Sequence, residues 1–475
     1  MGVQETAIYT PSFHATEKAV AERVQQLLAS PWRNRPKPTE IDAILKGLPG
    51  SENLSDEQES AVRRSLTESV LILTGGPGVG KTFTTNFIVK ALEKLGRRIQ
   101  IAAPTGRAAK RAAEVSGREA KTIHRLLSFD PEKKGFKHGP GEPLETDVLV
   151  IDESSMLDLM LTHNTLRAIP DGAQILFVGD VDQLPSVGPG NVLKDLIDSG
   201  RVPVARLTQV FRQAAASKII TGAHAINKGK MPELLPPSAA KEGADCVFLE
   251  VEETEDLLQK VKGVVAKSLP ALGFKKEEIT VLSPMQRGVV GVRSLNDELQ
   301  KIMNPPAPHK GEHPRGGIVL REGDRVMQKR NNYDKNVFNG DIGYITQIDP
   351  EEQVVTIEYP EGSIEYDFAE TDELGHAMSL TTHKSQGSEY PACVIIVHTT
   401  HFMMLQRNLV YTALTRAKKF AVLIGTKKAL GIAVRNKHIA PRHTRLGLRL
   451  QNMVQGLEVG KIRDNSAPPL PGRLF

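Results

Sequence analysis

The sequence predicts an α/β protein built from two parallel-sheet units, the second interrupted by an all-β block. Three observations carry this reading. Short, nearly continuous apolar runs alternate with helical stretches at 70–73, 99–102, 148–151 and 175–178, and strands buried on both faces read this way. The same pattern restarts at 247–249, 279–282, 394–397 and 420–424. Between these runs, 325–329, 341–348, 354–359 and 363–367 are strand-length pieces split by Asn-Gly, Asp-Pro and Glu-Gly turns. That spacing predicts a small barrel, entered through the Pro-rich stretch 305–314.

The remaining elements follow in chain order. Residues 16–28 place Ala19, Val20, Val24, Leu27 and Leu28 on one helical face. The Pro-rich stretch 31–38 reads as a linker. Ser55 followed three residues later by Gln58 is a capping box opening a helix. Residues 129–144 are polar and rich in Gly, Pro and Lys, too long for a tight connection. They form either a projecting hairpin or an unstructured loop, and Phe129, Lys133, Lys134, Phe136, Lys137 and His138 would give such a hairpin a tip.

Composition narrows the function. The 475 residues correspond to about three domains at ~150 residues each. Hydrophobic residues at 40% and charged residues at 25% exclude global disorder. Aromatics at 5%, with one Trp, leave few base-stacking platforms. The net charge of +5 does not by itself name a nucleic-acid partner, although Lys418, Lys419, Lys427, Lys428, Arg435, Lys437, Arg442, Arg445 and Arg449 crowd the C-terminal end as a solvated face or basic tail. Two distant cysteines, Cys246 and Cys393, exclude a disulfide scaffold and a Cys-rich zinc site, and suit a reducing compartment. No apolar run approaches the ~20 residues that span a bilayer, and no apolar signal core follows Met1. The expected location is cytoplasmic.

The chemistry concentrates at the ends of the predicted strands. Gly75-Gly76-Pro77-Gly78-Val79-Gly80-Lys81-Thr82, running into Phe83, is a P-loop between a strand and a helix. Its backbone N–H groups and helix N-terminus suit ATP phosphates. Lys81 would reach the β/γ-phosphates and the Thr82 hydroxyl would bind Mg²⁺. The strand 148–151 ends in Asp152-Glu153. Asp152 would hold Mg²⁺ and Glu153 would orient and deprotonate the attacking water. The Gln58 carboxamide suits adenine N6 and N7, or simply serves its capping box.

Further motifs run in register around that site: Ala103-Pro104-Thr105-Gly106-Arg107, Thr122-Ile123-His124-Arg125, Gly179-Asp180-Val181-Asp182-Gln183-Leu184-Pro185-Ser186, Val210-Phe211-Arg212-Gln213, Thr382-His383-Lys384-Ser385-Gln386-Gly387-Ser388-Glu389 and Val410-Tyr411-Thr412-Ala413-Leu414-Thr415-Arg416. In this order the chain resembles a superfamily 1 DNA helicase of the RecD-like type, the class that moves 5′ to 3′. The resemblance implies two RecA-like P-loop NTPase domains, with a small β-hairpin insertion in the first and an SH3-like β-barrel insertion in the second. It implies that Gln183 senses the γ-phosphate. It also implies that Arg212 and Arg416 reach across the cleft as arginine fingers, although Arg212 taken alone reads better as a surface ion pair. Gly387 and Glu389 would approach the ribose. Pro104, Thr105, Arg107, His124, Asn339, His383 and Lys384 would face single-stranded DNA, and His124 also reads as a core histidine.

The boundaries expected on this basis are an N-terminal helical segment and linker over 1–50, a first RecA-like domain over 51–206 with a hairpin insertion at 129–145, a second RecA-like domain over 207–314 and 376–440 split by the barrel at 315–375, and a basic tail over 441–475. The longest relatives carry a large N-terminal region with helix-hairpin-helix elements. This chain reads as a short form, or as one from which that region is missing. The expected function is an ATP- and Mg²⁺-dependent DNA helicase that translocates on single-stranded DNA, 5′ to 3′, and unwinds duplex at fork junctions as a monomeric motor in repair or recombination. The alternatives are a translocase that remodels nucleoprotein without separating strands, and a DNA-binding subunit with a decayed ATPase.

Overall fold

The computed structural model describes residues 8–30, 35–130, 132–133, 135–437 and 442–453, with the side chains of Arg212, Gln213 and Met453 outside that description. Most of the expected tail from 441 onward, and Lys134, therefore lie outside the described residues. No described helix is long and apolar enough to cross a membrane.

In chain order the first half contains strands β1 (Val70–Gly75), β2 (Ile99–Ala103), β3 (Ala120–Thr122), β4 (Phe129–Asp130), β5 (Gly135–Phe136), β6 (Val148–Ile151), β7 (Gln174–Gly179) and β8 (Val204–Leu207). Six of them form one sheet in the order β3-β2-β6-β7-β1-β8, parallel throughout. Side chains alternate across each strand, so the sheet buries two cores. On one face Val70, Ile72, Leu149 and Phe177 pack with Val20, Val24 and Leu27 of the helix Pro11–Ala29, which extends beyond the predicted 16–28. On the other face Leu71, Leu73, Val150 and Leu176 pack with Phe87, Ile88 and Leu92 of the helix Lys81–Lys94. The predicted linker 31–38 ends earlier than expected, because Pro38 opens a helix, Pro38–Lys46. Proline suits the first helical turn, where its missing N–H has no partner to lose.

The second sheet gathers β9 (Cys246–Glu250) and β10 (Ile279–Ser283) with three strands from beyond the barrel. The barrel contributes a hairpin, β11 (Glu312–Arg315) and β12 (Ile318–Arg321), then β13 (Arg325–Gln328), β14 (Ile342–Asp349), β15 (Val354–Tyr359), β16 (Gly362–Asp367) and β17 (Leu374–His376). The last five pair antiparallel in the order β16-β15-β14-β13-β17 around Val326, Ile345, Val355, Ile357 and Tyr366. The chain then returns through β18 (Ser379–Thr381), β19 (Tyr390–Val397) and β20 (Ala417–Gly425), completing a parallel sheet ordered β18-β10-β19-β20-β9. Both cysteines are free and buried in this domain.

The open question over 129–144 resolves to a hairpin. β4 and β5 pair with Phe129 opposite Phe136, and a bridge from Gly139 to Glu142 follows before Leu144 enters the core. The two phenylalanines sit at the base rather than at the tip. Their rings lie 5.1 Å apart and pack on His124 at 5.7 and 5.6 Å. Aromatic surface gains more from mutual packing than from solvent exposure, so among the described residues the tip is left to Glu132 and Lys133.

The helix Leu446–Met453 packs back on the first domain, where Leu446 and Leu450 join the core beside Leu193 and Leu196. The expected basic tail therefore begins with a docked segment.

Candidate nucleotide cleft and nucleic-acid face

Ligands of parallel α/β sheets bind outside the carboxyl ends of the strands. In the first sheet that edge carries the P-loop after β1, Thr105 after β2, His124 after β3, Asp152 after β6 and Gln183 after β7. The P-loop turns into its helix through Gly80, at φ +79°. A Cβ there would stand 2.5 Å from Gln58 Nε2 and 3.0 Å from the Phe211 ring, so conformation and space both demand glycine. Lys81 Nζ donates to the carbonyls of Gly75 and Gly76.

A cleft of about 380 Å³ runs between the two α/β domains. It brings together Gly76, Pro77, Gly78, Gly80, Lys81, Thr82, Asp152, Glu153 and Gln183 from the first domain and Glu389 and Arg416 from the second. Burial, and then the adjacent Glu153, push the Asp152 carboxyl up to about 6. Asp152 accepts a hydrogen bond from the Glu153 amide at 2.9 Å. Glu153 itself sits at φ +50°, a left-handed conformation that strains a non-glycine residue and is concentrated at functional sites.

Arg416 ties the cleft together. Its buried guanidinium donates to Gln183 Oε1 at 2.9 Å, to the Ser388 carbonyl at 3.0 Å and to the Thr412 carbonyl at 3.2 Å. Gln183 Nε2 in turn donates to Asp180 Oδ2 at 3.3 Å, which also accepts from the Tyr411 hydroxyl at 2.7 Å. The other expected finger, Arg212, opens a short helix, Arg212–Ala215, and its side chain lies outside the described residues.

Several expected nucleotide contacts stand apart from the cleft lining. Gln58 is buried in its capping box, with its Oε1 accepting from Ser55 N at 3.1 Å and its Nε2 directed to the Val79 carbonyl at 3.4 Å. Its amide thus braces the P-loop from behind. Gly75 and Val79 are enclosed within the loop, and Phe83 packs at a tilt against Phe87, with ring centroids 4.9 Å apart. Gly387 packs against Thr105 and Ala108.

Sequence reasoning missed Arg111. It follows Arg107 by one helical turn and lines the cleft, 2.6 Å from Glu389 and 3.9 Å from Glu153. The four-residue spacing puts both arginines on one face of the helix Gly106–Ser116, and that spacing was the available signal. His224 was also missed. Its Nε2 lies 3.0 Å from the Pro77 carbonyl.

The residues expected to face DNA surround the same interdomain seam. Thr105 caps its helix, accepting from the Ala108 amide at 3.3 Å. Arg107 reaches across the seam to Ser388 Oγ at 2.9 Å and Tyr390 Oη at 2.8 Å. Pro104 precedes that cap, half-buried. His124 is packed in the aromatic cluster at the hairpin base, and burial lowers its pKa; this geometry is that of the core-histidine reading. His383 is half-buried and likewise lowered, while Lys384 is exposed beside it. Asn339 sits on an exposed barrel turn, where its amide donates to Asn331 Oδ1 at 2.9 Å. The barrel touches the first domain through Arg125 over the Phe338 ring, at 5.4 Å, and Tyr333 beside Phe129, at 5.9 Å.

Comparison with known proteins fits this arrangement. An AAA domain model matches residues 58–189, a model described as the ATP-dependent RecD-like DNA helicase SH3 domain matches 295–359, and a UvrD-like helicase C-terminal domain model matches 376–424. The ATP-dependent RecD2 DNA helicase of Deinococcus radiodurans is 36% identical over 94% of this chain. The RecBCD enzyme subunit RecD of Mycobacterium tuberculosis is 30% identical, over 84% of this chain and 73% of its own length. The chain belongs to the RecD-like helicase family. It spans 59% of the length of the D. radiodurans relative. The crystal structure of Bacteroides Pif1 bound to ssDNA shares the fold of this RecD-like chain at a TM-score of 0.50 and 19% identity, over 85% of this chain and 98% of that one. The two parallel-sheet domains and the inserted SH3-like barrel are thus the architecture of this family, and the family uses nucleotide.

Proposed function

We propose that the protein is an ATP-dependent DNA helicase that moves 5′ to 3′ along single-stranded DNA and separates duplex at forks. The observation that carries this reading is the Gln183–Arg416 hydrogen bond across the cleft floor. It joins the strand end of one domain to the helix end of the other, beside the P-loop and next to the seam held by Arg107 and Tyr390. Nucleotide state at that floor is therefore mechanically linked to the seam where the strand would lie.

Each side chain has a task in that scheme. Lys81 and the P-loop amides neutralise the phosphates. Thr82 and Asp152 supply hard oxygen donors, the kind Mg²⁺ takes together with substrate phosphates rather than in an all-protein cage. Mg²⁺ held there would supply charge neutralisation. Glu153 is placed to orient and deprotonate the attacking water, with Arg111 balancing its charge. Arg416 would meet charge developing on the γ-phosphate. Thr105, Arg107, His383, Lys384 and Asn339 would position the strand by its backbone, without reading sequence; the RecD and RecD2 relatives and the ssDNA-bound Pif1 structure support that partner. The likeness to RecD of the RecBCD enzyme supports a place in recombination or repair.

The test is ATP turnover with and without single-stranded DNA. The parental chain should be stimulated by DNA, Lys81→Ala should be inactive, and Glu153→Gln should bind ATP and DNA but turn over very slowly. A Glu153→Gln chain with parental turnover would remove the general-base assignment.

A further inference from the structure

The loop that follows Gln183 is gripped from two directions. At its start Gln183 accepts from Arg416. Leu184 is held by its amide, which donates to Thr412 Oγ1 at 2.9 Å, and by its carbonyl, which accepts from Gln386 Nε2 at 2.8 Å. These three partners all belong to the second domain, and Gln386 is two residues from Lys384. At the far end one guanidinium, that of Arg442, donates to the Gly188 carbonyl at 2.7 Å, to the Gly190 and Ser186 carbonyls at 2.5 Å each, and to Ser186 Oγ at 3.2 Å. The loop has no slack against its own domain. A Cβ on Gly188 would collide with the Asp158 side chain, and Leu159 N donates to the Pro189 carbonyl at 2.9 Å. The part left facing outward is Val187, 84% exposed.

Arg442 is fixed in turn. Two residues on, Thr444 Oγ1 lies 2.9 Å from Asp195 Oδ2 and 3.0 Å from Glu17 Oε2. Arg449 Nε donates to Glu17 Oε1 at 2.8 Å, and Leu446 and Leu450 are buried in the first domain's core. In sequence this strap comes after the second domain's last helix, Lys427–Arg435. It therefore carries the chain from the second domain back to the first, and its leading side chain closes on the loop that senses the cleft. A planar five-donor fork matched to three converging carbonyls is a geometry that lysine cannot reproduce.

We infer that Arg442 is a positioning residue that holds the 183–190 loop rigid, so that nucleotide-dependent movement at Gln183 and Arg416 is passed to the DNA-facing seam instead of being absorbed in the loop. The inference rests on the proposed helicase function, because coupling to DNA is what it explains. Arg442 does not line the nucleotide cleft.

The test combines steady-state ATPase assays with hydrogen–deuterium exchange on the full chain. Arg442→Ala should raise amide exchange in 183–190 and lower DNA-stimulated kcat about tenfold, a typical size for one lost coupling residue. ATP KM and DNA-free turnover should stay at parental values. Arg442→Lys, which keeps the charge without the fork, should behave the same way and guards against misfolding of the alanine variant. Arg449→Ala removes one contact of the strap, leaves it docked by Thr444, Leu446 and Leu450 with Arg442 still on the loop, and should retain stimulation. Parental exchange and stimulation in both Arg442 variants would overturn the inference. Equal losses of basal and stimulated turnover, or an Arg449→Ala chain as uncoupled as Arg442→Ala, would overturn it as well. A parental chain with no DNA stimulation would refute the helicase reading, while loop exchange would still decide whether Arg442 positions the loop.

Discussion

Replacing Arg416 with alanine should separate catalysis from folding, because the proposed function gives it the γ-phosphate while its burial makes it a structural tie as well. The side chain is buried and makes four hydrogen bonds, to Gln183, Ser388, Thr412 and the Thr415 hydroxyl. The Thr412 carbonyl keeps a second donor, the Thr415 hydroxyl at 2.9 Å, and the Gln183 carboxamide lines the cleft, where water can reach it, so Ser388 carries most of the loss. One orphaned buried carbonyl costs about 1–3 kcal/mol, and the emptied volume adds to it, so the variant should lose about 2–4 kcal/mol of stability. The catalytic effect should be larger. An arginine that meets γ-phosphate charge contributes about 10³–10⁵ in rate, or about 4–7 kcal/mol of barrier. The assay is ATP turnover at saturating single-stranded DNA and at a temperature well below the variant's melting transition, with nucleotide binding measured separately. Binding should persist while kcat falls at least about a thousandfold. A folded Arg416→Ala chain that turns over within about tenfold of the parental rate would refute the finger role and leave Arg416 a purely structural tie.

Three further outcomes follow from the same geometry. Gly80→Ala meets both a φ of +79° and a Cβ position 2.5 Å from Gln58 Nε2, so nucleotide affinity should fall about tenfold or more through the distorted loop, read by titration with a fluorescent ATP analogue. Asp195 is pushed up to about 6 chiefly by burial; its native form binds a proton more tightly than the unfolded form, so it weakens folding as pH rises from about 4 to about 6. Asp195→Asn, which can still accept from Thr444, should therefore melt higher than the parent at pH 7.5 and not at pH 4, and a pH-independent gap would count against that account. The resemblance to RecD-like helicases implies that the 129–144 hairpin acts as a pin that separates strands at the fork. Replacing residues 130–135 with a short Gly-Ser turn spares Phe136 and Leu144, which pack inward; the pin requires that duplex unwinding be lost while DNA-stimulated ATPase survives, and parental unwinding would remove that role.

Much of this was legible from residues because the signals are local. The central strands are continuous apolar runs, and the P-loop and the Asp152-Glu153 pair announce their places at strand ends. What escaped was non-local or weakly patterned. β3 and β8 are edge strands of three and four residues with polar members, Ala120–Thr122 and Val204–Leu207; an edge has one pairing partner and one exposed side, so its sequence resembles a loop. The aromatic residues of the hairpin were visible, but their inward packing on His124 depends on a tertiary contact. The docking of Leu446–Met453 was hidden by the positive charge around it, since Arg442 and Arg449 look solvated until Glu17 and the 186–190 carbonyls are brought beside them. Gln58 shows the converse, because its capping box was local and is present. Arg111 belongs between these cases, in phase with Arg107 but meaningful only once Glu389 arrives from the other domain.

The measurement that bears most directly on the proposed function is strand separation on matched duplexes that differ only in carrying a 5′ or a 3′ single-stranded tail, with ATP and Mg²⁺ and with Lys81→Ala as control. The account predicts ATP-dependent unwinding of the 5′-tailed duplex, little on the 3′-tailed one and none with Lys81→Ala. Unwinding confined to the 3′-tailed duplex would contradict the direction, and DNA-stimulated ATP hydrolysis with neither duplex separated would contradict the helicase reading.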